Sequence, residues 1–509
     1  MGLPPTRSGL IARNSVLNFA GQVIPLVVGI VSIPPVIKGL GVDSFGILSL
    51  SWMLLGYFTV FDLGLGRATT KFIAEELRNG LTERLRTLFW NSCLMNLILG
   101  LAGGLVIMTV TPLLAEKVFR VPVSSIGVAK GTFYVLAISC PFVLVSTAFR
   151  GALEAAQRFE YVNAVGVIAS SLTFILPVVG LLLGFDVRGI VVLLMISKLC
   201  GGLAYLILCF RVFPVLKQGV SFDFENAGRL LAYGGWVSVM NVVNPVLVYL
   251  DRFMIGSIIS IAAVSYYTAP YEMVMRLSIV PASLAMALFP SFSALDIEAR
   301  KSVTQLFSGS VKFLLVIMSP LVAVLVVFAE DILQAWLGPE FAQVSTGVFQ
   351  VLAIGVLLNA WAQVPFQLML GFGRPDITAK LNLMELLLYV PLVWFLVKSM
   401  GIVGGALAWS IRVAVDTLLL FVASGKFVDR HDFFRDGVSR GLSIVGVLLA
   451  GLSVFCFVRV SFPIKAGVTA AALFFFCYIS WWFVFDAGQR GLITSTARRF
   501  AGSYAGGSK

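Results

Sequence analysis

The sequence predicts an all-α integral membrane protein, with about 14 transmembrane helices in two parallel pseudo-twofold six-helix lobes plus two appended helices. Three observations carry this. First, 59% of the 509 residues are hydrophobic and 12% are charged, whereas a soluble domain carries about 25% charge. Second, apolar runs recur along the whole chain, and about 20 such residues cross the ~30 Å hydrocarbon core. Third, Lys and Arg gather in alternate gaps between the runs. The composition excludes a water-soluble globule and a disordered chain. The net charge of +12 follows membrane orientation, so no nucleic-acid partner is expected. A single histidine, His431, leaves no material for His-based metal sites or a Ser–His–Asp triad, and no GxxxxGK[ST] phosphate loop occurs. No metal or cofactor is expected. Cys93, Cys140, Cys200, Cys209, Cys456 and Cys477 lie in apolar runs without paired spacing, as small buried hydrophobes do.

The spans divide at 14–37, 45–68, 87–111, 128–149, 161–184, 189–211, 230–260, 262–290, 306–329, 345–370, 379–399, 401–424, 440–459 and 464–486. Pro4, Pro5 and Arg7 precede a first run too long for a signal-peptide core, so it reads as a retained span. The division between spans 7 and 8 at Ser260–Ala262 has no charge to mark it. The division between spans 11 and 12 rests on Lys398 and Gly401. With the N-terminus cytoplasmic, 25 Lys and Arg fall on the inner side, Lys312 among them, and 8 on the outer side. Both termini are therefore expected inside. Stretch 69–86 reads as an amphipathic helix at the interface.

An internal echo joins the two halves. AAQRFEYVNAV around Arg158 matches GFGRPDITAKLN around Arg374 at an offset of 216. Gly184 and Gly401 follow at 217, Lys198 and Arg412 at 214, and Pro25 and Pro245 at 220. An even number of spans per repeat gives parallel halves: residues 1–215 with spans 1–6, 216–424 with spans 7–12, and 425–509 with spans 13–14 and a cytoplasmic tail. Two such lobes are the plan of a transporter working by alternating access.

Spans 1–2 run NSVLNFAGQVIPLVVGIVSIPPVIKGLGVDSFGILSLSWMLLGYFTVFDLGLGRATTKFIAEE, including Asn14, Pro34, Gly39-Leu40-Gly41, Phe45-Gly46 and Asp62-Leu63-Gly64-Leu65-Gly66. This resembles the start of Wzx-type polysaccharide flippases of the multidrug/oligosaccharidyl-lipid/polysaccharide (MOP) exporter superfamily. YLDRFMIGSIISIAAVSYYTAPYEMVMRLS from Tyr249 resembles the matching signature of spans 7 and 8. The resemblance covers essentially the whole chain. It implies flipping of undecaprenyl-pyrophosphate-linked oligosaccharide across the bacterial inner membrane for surface polysaccharide synthesis. It also implies a cationic cavity lined chiefly by spans 1, 2, 7 and 8, and secondary transport with H+ or Na+ as a possible coupling ion. The expected partners are the undecaprenyl-pyrophosphate glycolipid and the bilayer, with a polysaccharide polymerase and glycosyltransferases nearby.

Ionisable residues at membrane depth are functional candidates. Arg252 sits ~12 Å and Glu272 ~15 Å from the outer face, at ~1.5 Å of rise per residue. Arg276 lies one turn beyond Glu272 on the same face, whereas Asp251 points away from Arg252. Arg252 and Arg276 suit pyrophosphate, because guanidinium forks match phosphate oxygens and keep their charge. Alternatively, Glu272–Arg276 and Asp251–Arg252 are self-neutralising structural pairs. Asn14, Asn18, Gln22, Asn241 and Asn244 offer sugar hydrogen bonds or interhelical contacts. Asp62, Glu272, Lys198, Arg412 and Asp416 are the remaining intramembrane charges, candidates for coupling. Asp62 alternatively braces Arg67 or a glycine-loosened helix, Asp416 pairs with Arg412 at i,i+4, and a carboxylate such as Asp62 holds Lys198. Tyr266 and Tyr267 read as an outer aromatic belt. A cation-coupled small-molecule antiporter of the same fold is the alternative function, disfavoured by the basic span charges. A membrane glycosyltransferase or polymerase would need a longer polar loop than any present.

Overall fold

The computed structural model describes residues 7–79, 82–223, 242–293, 295, 299–456, 458, 460–491 and 494, with residues 7–23, 59, 82, 286–287, 290, 430, 434 and 456 described by backbone alone. Every regular element among the described residues is helical. Among the described residues nine helices are long and apolar enough to cross a bilayer, and Ile24–Leu40 and Val42–Phe58 are shorter apolar stretches. The expected count of fourteen is not fixed by these described helices.

The chain forms two compact units: Met1–Ala269 with Leu386–Gly405, and Pro270–Glu385 with Ala406–Lys509. In the first, α1 (Arg7–Leu40) packs on α6 (Phe159–Leu182), while α5 (Ile126–Ala155) packs on α4 (Thr82–Leu113) and α7 (Val187–Val212). The expected span 45–68 ends early. Helix α2 stops at Phe61, Leu63 and Gly64 turn with φ of 46° and 75°, and α3 (Leu65–Asn79) begins. Asp62 causes the break, because its carboxylate accepts the Gly66 N–H at 3.2 Å and so caps α3. The amphipathic stretch also differs from expectation. Its apolar face, with Phe72 and Ile73, joins a buried cluster with Leu88, Phe89, Phe149 and Ala152, so protein rather than lipid covers it.

Helix α8 (242–258) completes this unit with the start of α9 (Ile261–Met275). The chain leaves the helix at Ile259–Ser260, the division expected between spans 7 and 8. The α2–α9 approach is close. A Cβ on Gly46 would lie 2.2 Å from the Ile261 carbonyl oxygen, so only glycine fits there.

The second unit packs α13 (Pro339–Gly371) on α10 (Ile279–Ser293), α11 (Arg300–Val327) and α12 (Ala329–Leu337). Helix α14 (Pro375–Ser424) runs 50 residues but breaks at Gly401, whose φ of 63° favours glycine. It is therefore two helices, divided where the sequence divides spans 11 and 12. After α15 (Arg430–Phe433), α16 (Ser439–Ser453) and α17 (Phe462–Phe483) pack together, and both also contact α11.

The 216-residue echo has a backbone counterpart. Helix α5 ends in a Schellman turn, with Arg158 N–H to Leu153 O at 3.0 Å, Gln157 N–H to Glu154 O at 2.9 Å, and Gln157 at φ 56°. Helix α13 ends the same way, with Arg374 N–H to Met369 O at 2.8 Å, Gly373 N–H to Leu370 O at 3.0 Å, and Gly373 at φ 68°. Each arginine then pairs with a carboxylate two residues on, Arg158 with Glu160 at 3.4 Å and Arg374 with Asp376 at 2.9 Å.

Lys312, counted with the inner-side cations though it falls within the expected span 306–329, lies well inside a helix. It is wholly buried in α11, donating to the Asp436 carbonyl at 2.8 Å and the Asp436 carboxylate at 3.0 Å. The Asp486 carboxylate stands 4.0 Å away.

Candidate functional site

The first unit gathers charge and aromatic rings around α8. Asp251 and Arg252 are adjacent and both buried, at 0% and 3% exposure. The two side chains diverge, as successive helical positions must. The Asp251 carboxylate accepts a hydrogen bond from the Tyr267 hydroxyl on α9, and its other oxygen lies 2.7 Å from the Arg252 backbone N–H. The Arg252 guanidinium instead lies over the Tyr249 ring, 5.3 Å from its centroid. A cation on an aromatic face gains attraction that grows as water is excluded. Tyr249 is held in turn by Tyr57 of α2, ring centroids 5.7 Å apart. Its hydroxyl end also packs closely on Gly56, where a Cβ would sit 2.2 Å from the Tyr249 ring. Tyr267 is fully buried and committed to Asp251, so the aromatic-belt expectation for it fails.

The other expected residues fall elsewhere. Arg276 opens the 3-10 turn Arg276–Ser278 after α9 and bridges Glu272 at 3.1 Å, each about a quarter exposed. Both lie in the second unit. Arg412 donates to Glu385, across the Gly401 break, at 3.3 Å. Asp416 lies one turn beyond Arg412 on the same helix, so Glu385 joins Arg412 from across the break and the pair is not an isolated Arg412–Asp416 one. Asp62 is occupied by the Gly66 N–H and by the Thr147 hydroxyl at 3.0 Å. The expected Lys198–Asp62 pairing is therefore absent: Lys198 is half-buried in α7, and among the described residues no hydrogen bond or ion pair reaches it. Asn244 is exposed on α8. The side chains of Asn14, Asn18 and Gln22, and the whole of Asn241, lie outside the described residues.

Sequence reasoning missed Tyr57 as a member of these groups and Tyr267 as the partner of Asp251, and placed Glu385 near Arg412 and Asp416 only in sequence order. Their partners are 16 or more positions distant, so spacing on one helix gave no signal. The buried pairing of an uncharged tyrosine with Asp251 is legible only in three dimensions. Among the described residues no cluster of His, Cys, Asp and Glu suits a metal.

Comparison with known proteins places this geometry. Residues 11–296 match the family described as polysaccharide biosynthesis protein. The chain is 30% identical over 413 residues to a putative O-antigen transporter of Shigella flexneri, covering 81% of this chain and 96% of that one. Among solved structures it resembles the lipid II flippase MurJ in an inward closed conformation, with TM-score 0.70 and 14% identity over 92% of this chain and 98% of that one. It also resembles an inward-facing multidrug resistance MATE family transporter of the MOP superfamily, with TM-score 0.68 and 16% identity over 84% and 99% of the two chains.

Proposed function

Because this chain belongs to the polysaccharide biosynthesis protein family, as a Wzx-type member of the MOP exporters, we propose that it flips undecaprenyl-diphosphate-linked oligosaccharide across a bacterial inner membrane. It is a multi-pass membrane protein that moves a glycolipid, and its work is transport rather than bond-making. The observation that carries the recognition step is the buried Arg252 guanidinium on the Tyr249 ring, with the neighbouring Asp251 carboxylate engaged by Tyr267.

The mechanism follows from those contacts. A diphosphate cannot enter hydrocarbon without a counter-charge. Arg252 supplies a charge that does not titrate and a planar fork of donors that fits two phosphate oxygens. Tyr249 and Tyr57 set the plane in which the guanidinium lies. Sugars follow the diphosphate into a wet cavity while the lipid chain stays in apolar surroundings. Alternating access then exposes the head group on the other face. Both termini lie in the cytoplasm on this reading, in accord with the Lys and Arg bias. The Glu385–Arg412–Asp416 group is the candidate for coupling to H+ or Na+. A glycan polymerase and glycosyltransferases would act before and after the flip.

The reading is tested in a bacterium deleted for its own exporter of a cognate glycan. Expression of this chain restores surface glycan, and Arg252→Ala removes most of that restoration at equal membrane protein. Full restoration by Arg252→Ala would remove the guanidinium from substrate recognition.

A further inference from the structure

The transported lipid is covalently one molecule, so its first isoprene units must lie beside whatever holds its diphosphate. Next to Arg252 the structure offers an apolar surface of the right kind. A cleft of about 370 Å³ opens between α2, α4 and α8, lined by side chains including Met53, Tyr57, Ile107, Leu114, Val246 and Phe253. The Tyr57 hydroxyl is the sole polar side-chain group among its lining residues. On α8 the lining positions Val242, Val246, Leu250 and Phe253 recur at spacings of 4, 4 and 3, one face of a helix. Tyr249 borders that face, and Arg252 stands on its far side.

The cleft and the cation are linked through two tyrosine contacts. Tyr57 lines the cleft and packs against Tyr249, and Tyr249 carries the Arg252 guanidinium. Gly56 allows this, since any side chain there would push the Tyr249 ring away from α2. An apolar trough with a buried cation two rings away complements an amphiphile with a hydrocarbon chain and an anionic head. In a bilayer such a trough gains little hydrophobic energy over lipid, so its value lies in shape and in holding the chain close to the head group.

We infer that this α2–α4–α8 cleft receives the polyprenyl chain of the transported diphosphate lipid while Arg252 holds the diphosphate. The inference rests on the flippase reading and assigns a lipid-chain site within it. Branched, unsaturated isoprene units fit a trough walled by Ile, Val, Leu and aromatic side chains better than straight acyl chains do, because packing rewards matched shape.

The test uses the full chain in nanodiscs and a polyprenyl diphosphate bearing a diazirine on its second isoprene unit. Photolabelling is expected on the segments holding Ile107, Leu114 or Val246–Phe253. Excess unlabelled polyprenyl diphosphate should suppress it about tenfold, and an equal concentration of phosphatidylglycerol should leave it within about twofold. Ile107→Trp and, as an independent filling, Val246→Trp should each lower this labelling about tenfold while Arg252-dependent binding of the probe remains. Equal suppression by phosphatidylglycerol means the cleft holds bilayer lipid and overturns the inference. Labelling elsewhere with Arg252-dependent binding intact overturns the cleft and spares the flippase reading. Absence of any binding competed by polyprenyl diphosphate overturns both.

Discussion

Two buried cations divide the molecule's polar interior into different kinds of site. Lys312 in the second unit is wholly enclosed, and its ammonium is met by the carbonyl and carboxylate of Asp436 with Asp486 just beyond. Those partners sit in the turns flanking α16 and α17, so Lys312 fastens the two appended helices to α11. Arg252 in the first unit is nearly as buried, but it rests on an aromatic ring while Tyr267 occupies the adjacent carboxylate. Lys312 is met by acceptors of its own unit, as a structural cation is. A guanidinium stacked on a ring directs its donors outward in its plane, the geometry that suits two phosphate oxygens.

The contrast breaks first if Lys312 proves dispensable. Lys312→Met strands the Asp436 carboxylate, which is about a third exposed, and is expected to cost about 2–3 kcal/mol, read as a lower melting temperature in detergent. Adding Asp436→Asn should recover part of the loss. An unchanged melting temperature would deny Lys312 its fastening role. Arg252→Ala should behave oppositely: thermal stability close to wild type, with glycan export down about 10- to 100-fold, the equivalent of about 1.5–3 kcal/mol for bonds to a charged group. Arg252→Lys should recover only part, because an ammonium lacks the fork.

Tyr267→Phe sharpens the comparison further. It deprives buried Asp251 of a hydrogen bond, with an expected cost of about 1–2 kcal/mol in stability. It should also lower export more than that loss of folded protein explains, since Asp251 becomes available to Arg252. In an Arg252→Ala background the extra export defect should vanish. The smallest effect is expected at Asp62. Asp62→Asn keeps a capping oxygen for the Gly66 N–H and should change the melting point by no more than about 0.5 kcal/mol of stability. A large export defect from Asp62→Asn at normal stability would move Asp62 from capping to coupling.

Much of the fold was legible in sequence because bilayer helices announce themselves by length and charge. Gly401 and Ser260 divide helices where the sequence divided them, and the Arg158 and Arg374 turns share one hydrogen-bond pattern at the 216-residue offset. Glu272–Arg276 also follows from helical spacing. What spacing could not show were partners brought together from distant segments. Glu385 joins Arg412 from 27 residues away, Tyr267 reaches Asp251 from the next helix, and Asp436 lies 124 positions from Lys312. Lys312 was grouped with Arg300 and Lys301 as an inner-side cation, and nothing local marked its burial. Asp62, expected within span 45–68, instead follows the end of α2, because the left-handed turn at Leu63–Gly64 separates α2 from α3.

The most direct test reconstitutes the purified chain into liposomes with a fluorescent polyprenyl-diphosphate-linked oligosaccharide and follows its passage between leaflets by a quencher that cannot cross the membrane. Wild type should move the lipid well above the protein-free rate, and Arg252→Ala at equal reconstitution should slow it by about 10- to 100-fold. Equal rates for the two proteins, or a wild type no faster than protein-free liposomes, would contradict the account.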